Sequence, residues 1–147
     1  MHITELAKKL DVDAHSLDKA LLIREYTDNG IVPDDICENL IFLYEYYISQ
    51  LQPPVRVDTI NINLILKPCI YFLYHEKTLI YIGKSLNLLA RLSQHIKDKT
   101  FDGIHVIEVP RKDLDILELF YISQHLPFKN IDGRDPMQKI KMLINKI

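Results

Sequence analysis

The chain has 147 residues, 48% of them apolar and 26% charged, with a formal net charge of −2. That length holds one ordinary domain, or a small domain with a helical appendage, and the composition is globular rather than disordered. No apolar stretch approaches the roughly 20 residues that a membrane-spanning helix needs. The start, Met1-His2-Ile3-Thr4-Glu5, shows no signal-peptide pattern. The expectation is a cytoplasmic protein without membrane contact, in which Cys37 and Cys69 are reduced, buried thiols.

Charge is unevenly spread. Residues 1–54 carry four Lys/Arg and ten Asp/Glu, whereas residues 55–147 carry fourteen and ten. An acidic first part therefore precedes a basic second part, and a polyanion should meet the second. The boundary falls at Gln52-Pro53-Pro54, because paired prolines cannot continue a helix. The expected domains are 1–54, helical, and 55–147, with a core over 69–130.

In the first part Ile3, Leu6, Ala7 and Leu10 recur at helical intervals, and Leu17, Ala20 and Leu21 do so in a second helix. Asp28-Asn29-Gly30 signals a turn. A third helix, capped by Asp34 or Asp35, carries Ile36, Leu40, Leu43, Tyr47 and Leu51 on one face. Residues 6–21 resemble a helix-turn-helix, with Asp11 at the turn's usual glycine. A helix that reads DNA should be basic, and this one carries Asp13 and Asp18 against Lys19 and Arg24. The favoured expectation is a helical bundle that packs on the rest of the chain, or that offers an acidic surface to a protein partner or a second copy. Phe42, Tyr44, Tyr46 and Tyr47 are read as core and interface packing.

After the prolines the period changes. Ile60, Ile62, Leu64 and Leu66 alternate as a strand would. Cys69 to Tyr74 and Leu79 to Ile82 flank the polar His75-Glu76-Lys77-Thr78 and read as a hairpin, with Gly83 breaking the second strand. A turn centred on Glu76 would set Tyr71 opposite Tyr81. A helix over Leu86–Lys97 carries Leu89, Leu92 and Ile96 on its apolar face, and Asn87, Arg91 and His95 on the opposite stripe. A strand over Ile104–Val109, a helix over Leu114–His125 and a last helix over Pro136–Ile147 complete the chain. The fold class is α+β: a helical bundle, then a small α/β sandwich on a short, mostly antiparallel sheet.

Two phenols, a lysine, an arginine, a histidine and a carboxylate suit phosphodiester chemistry. An arginine holds a phosphate bidentately, a carboxylate holds a hard cation, and a phenol or lysine accepts a proton from water. Glu118 is the one acid in the run Ile116–Ile122, where a carboxylate must face solvent, find a partner or hold a metal. His2, His15, His75 and His105 show no ligand spacing. Each candidate alone has an ordinary explanation as strand packing or a solvated helix face; the ordered set points to chemistry.

Cys69-Ile70-Tyr71 followed by Tyr81-Ile82-Gly83 resembles the paired signature of the GIY-YIG nucleases. Arg91 lies ten residues after Tyr81, His95 four later, and Asn130 twelve after Glu118. That last spacing, with Lys84 after the glycine, is similar to the branch found in the bacterial excision-repair incision subunit. Cys69 replaces the first glycine, a mainly structural position. The resemblance implies a small α/β sandwich and a DNA endonuclease dependent on Mg²⁺ or Mn²⁺. It implies Glu118 as the metal ligand and Tyr71 or Tyr81, assisted by Lys84, as the group that activates water. Arg91 would stabilise the phosphoryl charge, His95 would bond a tyrosine or a phosphate, and Asn130 would shape the pocket. Lys84, Arg91, Lys97, Lys99 and Lys129 are the expected nucleic-acid contacts. The alternative is a GIY-YIG fold that binds nucleic acid or a protein without cutting.

Overall fold

A computed structural model describes residues 1–21, 29–48, 55–56, 63 and 66–127. Their order is α1 (Ile3–Lys9), α2 (Ala14–Leu21), α3 (Asp34–Ile48), β1 (Val55–Arg56), β2 (Cys69–His75), β3 (Thr78–Ser85), α4 (Leu88–Asp98), β4 (Gly103–Glu108), a 3-10 turn over Arg111–Asp113, and α5 (Leu114–His125). This is the expected α+β class, with helices followed by an antiparallel sheet. The proline boundary, most of the strand expected over Ile60–Leu66, the helix expected over Pro136–Ile147, and Lys129 and Asn130 lie outside the described residues.

The sheet has the order β1-β4-β2-β3, with every pairing antiparallel. β2 is central, and all its residues except His75 are buried. The hairpin closes through Glu76 and Lys77, both at positive φ (49° and 69°), as a two-residue type I′ turn requires. Ile80 is then left unpaired as a bulge between the pairs Leu73–Tyr81 and Tyr74–Leu79. Turn and bulge together move the register by two residues from the expected one. Tyr71 faces Gly83, not Tyr81, and Tyr81 faces Leu73. Side chains alternate across a strand, so the two tyrosines still share a face as diagonal neighbours. Nor does Gly83 end the strand, which pairs on to Ser85.

The two faces of the sheet differ. Ile70, Phe72, Tyr74 and Ile82 meet Ile116, Leu117, Phe120 and Tyr121 of α5 in one apolar cluster. The same cluster takes in Leu6 and Leu10 of the first turns, Leu17 and Leu21 of α2, and Leu40 and Leu43 of α3. The acidic N-terminal helices thus cover α5 and share its core. Asp13 caps α2, its Oδ2 accepting the Ser16 N–H at 3.0 Å. Of the four aromatics expected to pack, Tyr44 and Tyr47 join the core, whereas Phe42 and Tyr46 stack on each other in solvent.

On the opposite face Cys69, Tyr71 and Leu73 meet Ile104 of β4 and Leu88 and Leu92 of α4. α4 turns Leu88, Leu92 and His95 inward and leaves Leu89 and Ile96 exposed. The expected apolar stripe is therefore corrected: His95 lies on the buried side, one and two turns beyond the two leucines. α5 stops at Leu126, which takes the left-handed conformation (φ 44°) ahead of Pro127. Among the described residues no helix is long and apolar enough to cross a membrane.

Candidate active site

The polar groups of the second face gather around Tyr71. Its ring crosses Gly83 on the neighbouring strand, and a Cβ there would overlap the ring and the phenol oxygen. This contact explains a glycine at a strand position of ordinary φ. The close approach leaves the Tyr71 hydroxyl 2.7 Å from Nε2 of His95. The Tyr81 ring lies 6.1 Å from that of Tyr71 and 4.7 Å from the imidazole, centroid to centroid. Two strands and one helix thus hold three aromatic polar groups in mutual contact.

Their electrostatics follow from burial. The Tyr71 phenol is pushed well up by desolvation and by Tyr81, while the Arg91 guanidinium pulls it down by charge and hydrogen bonding. Tyr81 is also raised, first by burial and then by the charge of Glu118. Arg91 and a hydrogen bond with Tyr71 act in the opposite direction. His95 falls to about 4, chiefly through burial and then through the neighbouring ammonium of Lys99, with Asp98 opposing. The imidazole is therefore neutral at pH 7. Asp98, 3.9 Å from Nδ1, favours the proton on that nitrogen, so that Nε2 accepts from the Tyr71 hydroxyl.

A second group stands where β3 meets α5. Lys84 pairs with Asp115 and approaches Glu118 at 4.0 Å. Burial works against its charge, but the Asp115 hydrogen bond and the two carboxylates outweigh it, and its pKa is raised. Asp115 and Glu118 sit one turn apart, which puts both on one helix face. Asp115 is not among the residues expected from the sequence; its spacing of three from Glu118 is the signal that marks it.

An open groove of about 870 Å³ adjoins both groups, lined by Lys84, Asn87, Arg91, Arg111, Lys112 and Asp115 among others. Lys84 and Arg91 belong to the groove and to the two polar clusters alike. Asn87 holds the start of α4, its Oδ1 accepting the Ala90 N–H at 3.2 Å. Arg91 is exposed, and its guanidinium also donates to Gln94 Oε1 at 3.2 Å.

The structure therefore brings together Tyr71, Tyr81, Lys84, Arg91, His95 and Glu118. Lys97 is exposed on α4, and Lys99 is turned inward. Residues 67–132 match the family model of the GIY-YIG catalytic domain. This segment is a GIY-YIG domain. It takes in the whole hairpin, α4, β4 and α5. GIY-YIG domains are in general nuclease modules that act on DNA and use divalent metal ions. No curated protein matches the chain.

Proposed function

We propose that the chain is a divalent-metal-dependent DNA endonuclease that hydrolyses phosphodiester bonds through its GIY-YIG site. The observation that carries this reading is the joint setting of Tyr81. It touches Tyr71 and His95, and it feels the charge of Glu118 on one side and of Arg91 on the other. A phosphoryl group at the groove edge would meet a cation, a carboxylate and a phenol together.

Tyr81 is the less buried phenol and is assigned to the attacking water. Tyr71, its hydroxyl engaged by neutral His95, holds Tyr81 in place. Burial raises the Tyr81 phenol, so the step requires added positive charge that ionises it: water then attacks phosphorus, its proton passes to the Tyr81 oxygen, and the P–O bond to the leaving oxygen breaks. Arg91 stabilises the charge that develops on the phosphoryl oxygens. Lys84, kept charged by its carboxylates, is assigned as the assisting cation at the groove. Asn130 and Lys129, which lie outside the described residues, are assigned as pocket and phosphate residues on the family resemblance alone.

Among the described residues no three His, Cys, Asp or Glu side chains form a metal-ligating group. That is compatible with magnesium, which commonly takes one or two carboxylates and completes its shell with water and substrate phosphate. Glu118 is the residue that would hold it, with Asp115 one turn away. Bound there, the ion would supply charge that neutralises the scissile phosphate and favours an ionised phenol.

The N-terminal helices are assigned a scaffolding role. Their leucines complete the core beneath α5, and their acidic surface repels DNA or receives a protein.

The test is cleavage of supercoiled plasmid and of labelled duplex, flap and junction DNAs with Mg²⁺ or Mn²⁺, beside Glu118→Ala. Product from the wild type that the variant does not form supports the endonuclease. Salt-sensitive binding by folded wild type, without product at any metal concentration, supports a non-catalytic binding module instead.

A further inference from the structure

Lys99 does not line the groove. By composition it belongs with the phosphate contacts, yet its side chain is only 13% exposed. Its Nζ lies 4.6 Å from the centroid of the Tyr81 ring. The same nitrogen donates to both carboxylate oxygens of Asp98, at 3.3 and 3.4 Å. Its backbone N–H bonds the His95 carbonyl at 2.8 Å, so the turn that ends α4 sets where its stem begins. Lys97, two residues earlier, points to solvent.

An ammonium over a ring face is attracted by the ring's quadrupole, the more so when shielded from water. Asp98 holds the same ammonium through both of its carboxylate oxygens. The ring it touches also packs on His95, whose Nε2 meets Tyr71. Lys99 thus closes a chain from Asp98 through Tyr81 and His95 to Tyr71.

We propose that Lys99 is a positioning residue: held by Asp98, its ammonium fixes the Tyr81 phenol against His95 and Tyr71, and it makes no contact with DNA phosphate. The kinetic consequence rests on the nuclease reading; the placement of Lys99 does not. The groups facing His95 are Tyr71, Tyr81, Arg91, Asp98 and Lys99. Of the two nearby cations, Lys99 depresses the imidazole more than Arg91 does.

The experiment compares Lys99→Met, Lys99→Arg and Lys97→Met in the full chain. Binding to a labelled duplex is measured against salt without divalent metal. Cleavage is followed with metal, and the His95 imidazole is titrated by NMR. For Lys99→Met the expectation is an unchanged salt slope and KM, a kcat lower by about tenfold or more, and an upward move of the His95 titration; general acid–base geometry carries factors of roughly that size. Lys99→Arg should restore kcat, and Lys97→Met should lower the salt slope by about one. If Lys99→Met does not fold, Lys99→Gln replaces it. A salt slope lowered by about one in the Lys99 variant, or a His95 titration that does not move, overturns the proposal. If wild type does not cut, the nuclease reading fails while the salt slope and the titration still decide the place of Lys99.

Discussion

The two faces of the sheet are built from one hairpin yet do different work. Even-numbered residues of β2 enter an apolar cluster shared by α5 and the three N-terminal helices. Odd-numbered residues enter a smaller cluster that ends in Tyr71, His95 and Tyr81. The first face spends its side chains on burial. The second buries a phenol and an imidazole, which is tolerable only because they bond each other. Stability should therefore reside mainly on the α5 side, and chemistry on the α4 side and at the edge where Lys84 of β3 meets Asp115 and Glu118 of α5.

That division can be broken in a graded way. Phe120→Ala removes a fully buried ring from the large cluster, where it packs edge-on against Tyr44. The expected cost is about 3–5 kcal/mol of unfolding free energy, read by denaturant titration. A loss below about 1 kcal/mol would mean that the N-terminal helices do not lean on α5.

Gly83→Ala sharpens the comparison from the other side. The added methyl must displace the Tyr71 ring. Overpacking of this kind costs about 1–3 kcal/mol. Cleavage should fall further than stability suggests, because the displaced hydroxyl leaves His95. Equal activity at reduced stability would show that the Tyr71–His95 contact is dispensable.

A third way to probe the division is its pH dependence. The folded state holds His95 near 4, below the ordinary value of about 6.5. The unfolded chain binds the proton first, so stability is lost as pH falls from about 6.5 towards 4. Above that window the group contributes nothing. His95→Gln should flatten this part of the stability profile, measured by melting temperature from pH 7 to pH 4. A profile as steep as that of the wild type would place the acid sensitivity elsewhere.

Much of this was legible in advance. The hairpin, α4, β4 and α5 follow from the period of their apolar residues, and the order Tyr71, Tyr81, Arg91, His95, Glu118 pointed to one site. The register was not legible. Glu76 and Lys77 take positive φ without the Asn or Gly that usually announces a type I′ turn, and nothing marks Ile80 as a bulge. The buried side of α4 is hidden in the sequence because His95 is polar, whereas Tyr71 supplies the bond that lets it turn inward. The inward turn of Lys99 depends on Tyr81 and Asp98 together, a tertiary contact that charge counting cannot see.

If the polar groups around Tyr81 and Glu118 form the proposed nuclease site, the fold beneath them should not need the Glu118 carboxylate. The most direct measurement is cleavage rate and melting temperature on the same preparation of Glu118→Ala. The expected result is a Mg²⁺-dependent rate lower by about a thousandfold or more, as the loss of several kcal/mol of metal-supplied stabilisation implies. The melting temperature and DNA affinity should stay close to those of the wild type. A variant that still cuts at the wild-type rate would contradict it.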